Sequence, residues 1–267
     1  MLVKREQKIA LTIAGSDPTG GAGIQLDLKI FSAFGILPLT AVTAVTAQSS
    51  TKVTKVLPVP AKILKEQLKL LISEFPIGAV KVGMLATEEN VVVVSDLLKK
   101  IKGIPVIVDP VLASSSNKEL LESKAIGTFV KKIVPFSTIL TPNLPEARIL
   151  SEDINGELTH EKLAKKIAAM GCNGVLIKGG HSEGFKIVDT FLFNGTIYNY
   201  SHKKIEGNFH GTGCALSSAI ASFILKGYDT LQAVRYAVEY LQRVMRNSKG
   251  FKILQIKKPF IKGIIKG

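Results

Sequence analysis

The chain has 267 residues, 46% of them hydrophobic and 21% charged, which supports a sizeable core in one large α/β domain spanning 1–267. Two cysteines, Cys172 and Cys214, exclude a disulfide framework and a four-cysteine zinc site and fit a reducing cytoplasm. The +14 charge is spread over scattered lysines with few aromatics between them, no apolar run reaches membrane-spanning length, and the start lacks an apolar signal region, so neither nucleic acid nor membrane is an expected partner.

In chain order, residues 8–14 read as a buried strand, followed by a glycine loop at 15–23 and a helix at 24–34. A β-branched strand is predicted at 37–46, and residues 51–59, ending at Pro58 and Pro60, read as short edge strands or a flap. Helices are predicted at 61–73, 88–101 and 119–133, alternating with strands at 79–82, 105–108 and 138–140. A further helix starts at 146–150, another covers 159–170, and a strand covers 174–178. Residues 187–193 and 196–200 flank Asn194-Gly195, a strong signal for a two-residue hairpin turn. Helices at 215–225 and 230–247 close the pattern, and the tail from Lys252 is basic and poorly patterned. This alternation argues for a mostly parallel sheet covered by helices.

In such sheets ligands bind beyond the carboxyl ends of the strands. The segments there are Gly15 to Gly23, Thr46 to Ser49, Gly83-Met84-Leu85, Asp109-Pro110-Val111, Thr141-Pro142-Asn143 and Lys178-Gly179-Gly180-His181. The first loop has neither the Lys-Ser/Thr of a P-loop nor the third glycine of a dinucleotide fingerprint. Asp27 lies on an apolar helix face with Ile24, Phe31 and Phe34, where a carboxylate needs a partner. A ligand donor is expected there; a boundary residue or a cap is the alternative. Gly211-Thr212-Gly213-Cys214 opens a small-residue helix. Its backbone N–H groups and dipole suit a phosphate or developing anion, and the same field is expected to lower the Cys214 pKa. An ordinary helix start with a buried cysteine is the competing reading. Cys172 reads as structural, and His160 and His202 as surface residues. His210 and His181 adjoin glycine loops and are candidates for phosphate contact or for loop hydrogen bonding.

Taken in order, Gly15-Ser16-Asp17-Pro18-Thr19-Gly20-Gly21-Ala22-Gly23-Ile24-Gln25 with Asp27-Leu28-Lys29, then Gly83-Met84-Leu85, Asp109-Pro110-Val111, Thr141 to Ala147, Lys178 to His181 and His210 to Cys214 form one ordered set. It resembles the hydroxymethylpyrimidine/phosphomethylpyrimidine kinases of thiamin biosynthesis, in the ribokinase superfamily. The resemblance spans about residues 8–247. It implies a three-layer α/β/α ribokinase-like fold with a mostly parallel sheet, a small β flap and an antiparallel edge hairpin. It also implies ATP- and Mg2+-dependent phosphorylation of hydroxymethylpyrimidine and then of its monophosphate.

By position, Gly15, Asp27, Gln48, Met84, Val111 and Cys214 would line the pyrimidine pocket. Asp109, Lys178, Gly211 and Gly213 would meet the nucleotide phosphates, and Asn143 and Glu146 would hold magnesium through water. Gly211, Thr212, Gly213, Cys214 and Lys178 would carry catalysis, with Cys214 a candidate base where many relatives carry Asp. Gln48 offers a donor and an acceptor to the aminopyrimidine edge. Two departures stand out: Phe209 before His210, and Ser114-Ser115-Ser116-Asn117 in place of a glycine-containing loop. They bear on the second phosphorylation more than on the class. A homodimer is expected, and no fused synthase domain, since the chain ends soon after the last helical pattern. Pyridoxal kinase is the competing enzyme reading, a ligand-sensing module the competing non-enzyme one.

Overall fold

Short Val-, Ile- and Leu-rich runs, buried on both sides, build the centre of one sheet. The structure is a computed structural model, and it describes residues 7–114, 116, 118–179, 186–207 and 209–259. Among these, the strands are β1 (Ile9–Ser16), β2 (Leu37–Gln48), β3 (Val53–Pro58), β4 (Ala79–Val82), β5 (Val106–Val108), β6 (Ile139–Leu140), β7 (Gly174–Ile177), β8 (Lys186–Phe193) and β9 (Thr196–Lys203). The helices are α1 (Gly23–Ala33), α2 (Ala61–Glu74), α3 (Glu88–Leu98), α4 (Ile126–Lys132), α5 (Leu144–Ser151), α6 (His160–Ala168), α7 (Thr212–Leu225) and α8 (Thr230–Asn247).

The sheet order is β3-β2-β1-β4-β5-β6-β7-β8-β9. From β2 to β7 the pairs are parallel; β3 at one edge and the β8–β9 hairpin at the other are antiparallel. The period-two alternation of strands sorts their side chains into two cores. Leu11, Ile13, Val80, Val82, Val106, Val108, Val175 and Ile177 face a layer that includes Leu64, Val91, Phe129, Leu150 and Leu163 of α2 to α6. Ala10, Ala79, Ile107, Ile139 and Leu176 face Phe31, Leu216, Ile220 and Val234 of α1, α7 and α8. This is the α/β/α layering expected.

The Asn194-Gly195 turn closes the hairpin as expected, with φ of 48° and 76° at its two residues. One expectation needs correction. The helix predicted at 119–133 is broken: Glu119 and Leu121 form isolated bridges with Ala113 and Ala86, and a 3-10 turn at Ser123–Ala125 leads into the short α4. Glu119 accepts from both the backbone N–H and the hydroxyl of Ser123, so it ends a loop instead of starting a helix. No described helix is long and apolar enough to cross a membrane.

Candidate active site

The parallel strands deliver their following loops to one rim, where α7 begins. Gly211 has φ +84°, and a Cβ there would fall 1.9 Å from the Gly21 carbonyl oxygen, so only glycine lets this turn lie against the first loop. Gly211 is also the N-cap of α7, and neither a capping side chain nor an acidic first-turn residue satisfies its start. The first-turn N–H groups, beginning at Thr212, are therefore presented to the cleft.

The cation above that turn is Lys178. A Cβ on Gly213 would lie 3.0 Å from Lys178 Nζ and 3.1 Å from Asp109 Oδ2, so the glycine gives them room. Lys178 Nζ donates to Asp109 Oδ1 at 3.1 Å. Burial would push the lysine down, but the Asp109 and Glu146 carboxylates raise it above its ordinary value and keep it charged. Asn143 and Glu146 form a reciprocal capping box on α5. Asn143 Oδ1 accepts from the Glu146 N–H, and Glu146 Oε2 from the Asn143 N–H, both at 2.8 Å. Burial pushes the Glu146 carboxyl up to about 7, with Lys178 opposing and Asp109 adding to the rise.

The apolar wall follows from packing. A Cβ on Gly15 would meet Met84 Sδ at 2.9 Å, and Met84 packs with Ala44 and Ala86 against Val56, Val111 and Leu120. Gln48, the last residue of β2, reaches a polar cluster at the rim. His210 Nε2 lies 2.9 Å from Asp17 Oδ2 and 3.4 Å from Gln48 Nε2. Burial alone would raise Asp17, yet hydrogen bonds from His210, from the Thr19 N–H and hydroxyl and from Gln48 hold it down at about 2.

The structure thus brings together Gly15, Gln48, Met84, Val111, Asp109, Lys178 and the Gly211-Thr212-Gly213-Cys214 turn, with Asn143 and Glu146 beneath Lys178. Two expectations are overturned. Asp27 does not reach a ligand: it is wholly buried, and Thr12 Oγ1 (2.6 Å) and Lys81 Nζ (2.9 Å) engage one oxygen while Ser218 Oγ (2.7 Å) engages the other. Nor does the helix end lower the Cys214 thiol. Burial is the dominant effect; Lys81 and the Gly23 N–H pull the pKa down, but Asp109 and Asp27 add to the rise, and it is pushed up to about 12.

His202 is not a surface residue either. It lies in β9, 3.0 Å from Asp189 Oδ2, and Asp189 Oδ1 accepts from the Gly179 N–H beside Lys178. Sequence reasoning missed Lys81, whose place inside a strand gave no sign that it would pair with Asp27. It also missed that Asp17 and Asp189 would each hold a histidine. Gly180, His181, Ser115 and Asn117 lie outside the described residues.

For a divalent cation, the donor set is fitting but incomplete. Asp109 and Glu146 carry two negative charges when ionised, against one on Lys178, and both offer hard oxygens. Among the described residues no three His, Cys, Asp or Glu side chains are placed to hold a metal. A magnesium ion that keeps several waters and shares its remaining sites with phosphate suits such a set.

The family model described as phosphomethylpyrimidine kinase matches residues 17–260 of this chain. A hydroxymethylpyrimidine/phosphomethylpyrimidine kinase from Aquifex aeolicus is 38% identical over 243 residues, covering 90% of this chain and 95% of the relative. The crystal structure of a phosphomethylpyrimidine kinase from Clostridium difficile 630 superposes with a TM-score of 0.76 at 36% identity, over 89% of this chain and 99% of that one. A pyridoxal kinase from Staphylococcus aureus, in complex with AMP-PCP and pyridoxal, gives a TM-score of 0.81 at 30% identity, over 91% and 89%. Backbone similarity alone therefore does not separate the two substrates.

Proposed function

The chain belongs to the phosphomethylpyrimidine kinase family, and from that premise we propose how its residues divide the phosphorylation of hydroxymethylpyrimidine and its monophosphate. The observation that carries the reading is the convergence of Lys178, Asp109 and the open α7 N-terminus beside the Gly15–Met84–Val111 wall.

Phosphoryl transfer asks the protein for positioning and charge neutralisation more than for covalent chemistry. Lys178 and the N–H groups of Thr212, Gly213 and Cys214 take up charge on the transferring phosphoryl oxygens. ATP would place its terminal phosphates against this turn, flanked by Asp109. Magnesium would be held by Glu146 and Asn143 through water, with Asp109 nearby. When bound, it neutralises phosphate charge. Cys214 acts as a neutral thiol that shapes the pocket floor. A largely dissociative transition state places little demand on a strong base, so the hydroxymethyl proton leaves late, passing to an oxygen of the transferred phosphoryl group or to water. Gly15, Met84 and Val111 pack against the pyrimidine, and Gln48 reads its polar edge.

Further expectations follow from the same reading. The whole span 1–267 works as one kinase domain, since one sheet runs through all described strands. Exposed Val45 and Leu57 at the β2–β3 edge support a homodimer that covers them. Two free cysteines support a reducing, cytoplasmic setting.

The test is an ATP-coupled assay with hydroxymethylpyrimidine, its monophosphate and pyridoxal in parallel. Turnover of both pyrimidines well above pyridoxal is expected. Preferential turnover of pyridoxal would establish the pyridoxal kinase reading in its place.

A further inference from the structure

Strand β7 ends one residue before Lys178, and the contacts that follow decide where that lysine stands. The β7–β8 ladder runs from Gly174 opposite Phe193 to Ile177 opposite Thr190. Its next steps would set Lys178 opposite Asp189 and Gly179 opposite Val188. A side chain takes part here: Asp189 Oδ1 accepts from the Gly179 N–H at 2.8 Å. Gly179 lies so close to β8 that a Cβ on it would fall 2.1 Å from the Val188 carbonyl oxygen. On the opposite flank the Lys178 N–H donates to the Pro142 carbonyl at 3.0 Å, and Lys178 forms an isolated bridge with Asn143. The peptide groups on both sides of the Lys178 Cα are therefore held.

Asp189 is itself braced. It is 6% exposed, and its Oδ2 lies 3.0 Å from His202 Nε2. An ionised carboxylate only accepts, so Nε2 donates. Asp189 stands opposite Tyr200 and Ile187 opposite His202, which makes Asp189 and His202 a diagonal pair across β8 and β9. His202 Nδ1 is buried without a partner among the described residues, a cost that the Asp189 contact helps to offset. The link from this pair to the site is the Gly179 N–H.

Lys178 Nζ stands 3.1 Å from Asp109 Oδ1. A lysine ammonium is a point charge on a flexible stem, so its placement depends on the backbone that carries it. We propose that Asp189, braced by His202, is a positioning residue that fixes the Lys178–Gly179 peptide and so sets Nζ against the transferring phosphoryl group. This rests on the assignment of Lys178 to that group, and it adds the element that holds the lysine in place. A catalytic group misplaced by about 1 Å can cost about a hundredfold in rate.

The experiment is a kinase assay with hydroxymethylpyrimidine and saturating ATP and magnesium. Product is counted as radiolabelled monophosphate, so rates far below wild type are still read. The enzymes are wild type, Asp189→Ala, Asp189→Asn, His202→Ala, Lys178→Met, and Lys178→Met combined with Asp189→Ala or with His202→Ala, each checked by thermal melting. Asp189→Ala should lower kcat by about tenfold or more and leave the pyrimidine KM within about twofold. Asp189→Asn keeps an oxygen for the Gly179 N–H and should stay within about threefold of the wild-type kcat. In the Lys178→Met background, adding Asp189→Ala should change kcat by less than about twofold, because the group it positions is gone.

A residue that merely supports the fold would slow both backgrounds alike. An unchanged kcat in Asp189→Ala, an equal loss with and without Lys178, or an Asp189→Asn as slow as Asp189→Ala overturns the proposal. Should Asp189→Ala fail to fold, His202→Ala takes its place, since it frees the carboxylate to swing. A loss of about threefold or more that vanishes in the Lys178→Met background then supports the proposal, and no loss, or one that persists there, overturns it. If Lys178→Met keeps the wild-type kcat, the assignment of Lys178 itself has failed. If Lys178→Met is slow while Asp189→Ala is not, only the positioning role has.

Discussion

Lys81 donates to Asp27 across 2.9 Å, and both side chains are wholly inaccessible to solvent. Thr12, between Leu11 and Ile13, and Lys81, between Val80 and Val82, point from the sheet toward α1 and α7, where Asp27 and Ser218 complete the group. Burial would discharge the lysine, but the Asp27 carboxylate raises it well above its ordinary range, so the lysine stays charged. Removing one partner strands a buried charge. Asp27→Asn is therefore expected to cost about 3–5 kcal/mol in urea unfolding. Adding Lys81→Met should recover much of the loss. A double variant as unstable as the sum of its singles would show that the two residues do not act as a pair.

The two glycines of the α7 turn should fail in different ways. At Gly211 an added Cβ meets backbone, at 1.9 Å from the Gly21 oxygen, in a left-handed conformation. Gly211→Ala is expected to destabilise the fold by more than about 2 kcal/mol. At Gly213 the atoms nearest the added Cβ belong to side chains, Lys178 Nζ at 3.0 Å and Asp109 Oδ2 at 3.1 Å. Gly213→Ala should leave the melting temperature nearly unchanged and lower kcat by about a hundredfold, as expected when a charge-stabilising donor is displaced. Equal losses of stability in the two variants would contradict this division.

The elements that sequence reasoning located best are those fixed by local rules. Asn194-Gly195 specifies its own turn, the helix at 230–247 carries an unbroken apolar stripe, and glycines mark the strand-end loops. The errors arise where a residue's role is set by a distant partner. Asp27 was correctly read as needing a partner, but that partner stands 54 residues away in a strand where Lys81 looks like ordinary alternation. Asp17 and His210 are separated by 193 residues. Cys214 obeys the local rule that a helix N-terminus favours a thiolate, and tertiary burial beside Asp109 and Asp27 overrides it. The 119–133 segment has helical composition, but the bridges of Glu119 and Leu121 to the strand-end loops claim its start.

The Cys214 thiol gives a direct chemical test. With its pKa pushed up to about 12, only about one part in ten thousand is thiolate at pH 8, against roughly a quarter for an ordinary thiol. Alkylation by iodoacetamide in the native protein should thus be slower than in urea by about a thousandfold or more. Cys172, pushed up to about 11 by burial, should also react slowly. Site-resolved mass spectrometry separates the two. Cys214→Ser should likewise leave the pH dependence of kcat between pH 6 and 9 unmoved. Rapid native alkylation at residue 214 would restore the case for an activated thiolate.

The Asp17 cluster predicts where acid weakens the fold. Its carboxyl is held at about 2, below the ordinary 3.8, chiefly by the donors that outweigh its burial. The folded state therefore releases this proton more readily than the unfolded chain. Its contribution is fully present above pH 3.8 and disappears as the pH falls through about 2. Asp17→Asn should be less stable than wild type by about 1–2 kcal/mol at pH 5 to 7, and the gap should close toward pH 2. Denaturant midpoints of both proteins at pH 7, 5, 3 and 2 measure it, the difference between them cancelling the other carboxylates. A gap that stays constant down to pH 2 would mean that Asp17 contributes by shape alone, with its charge irrelevant to the loop it anchors.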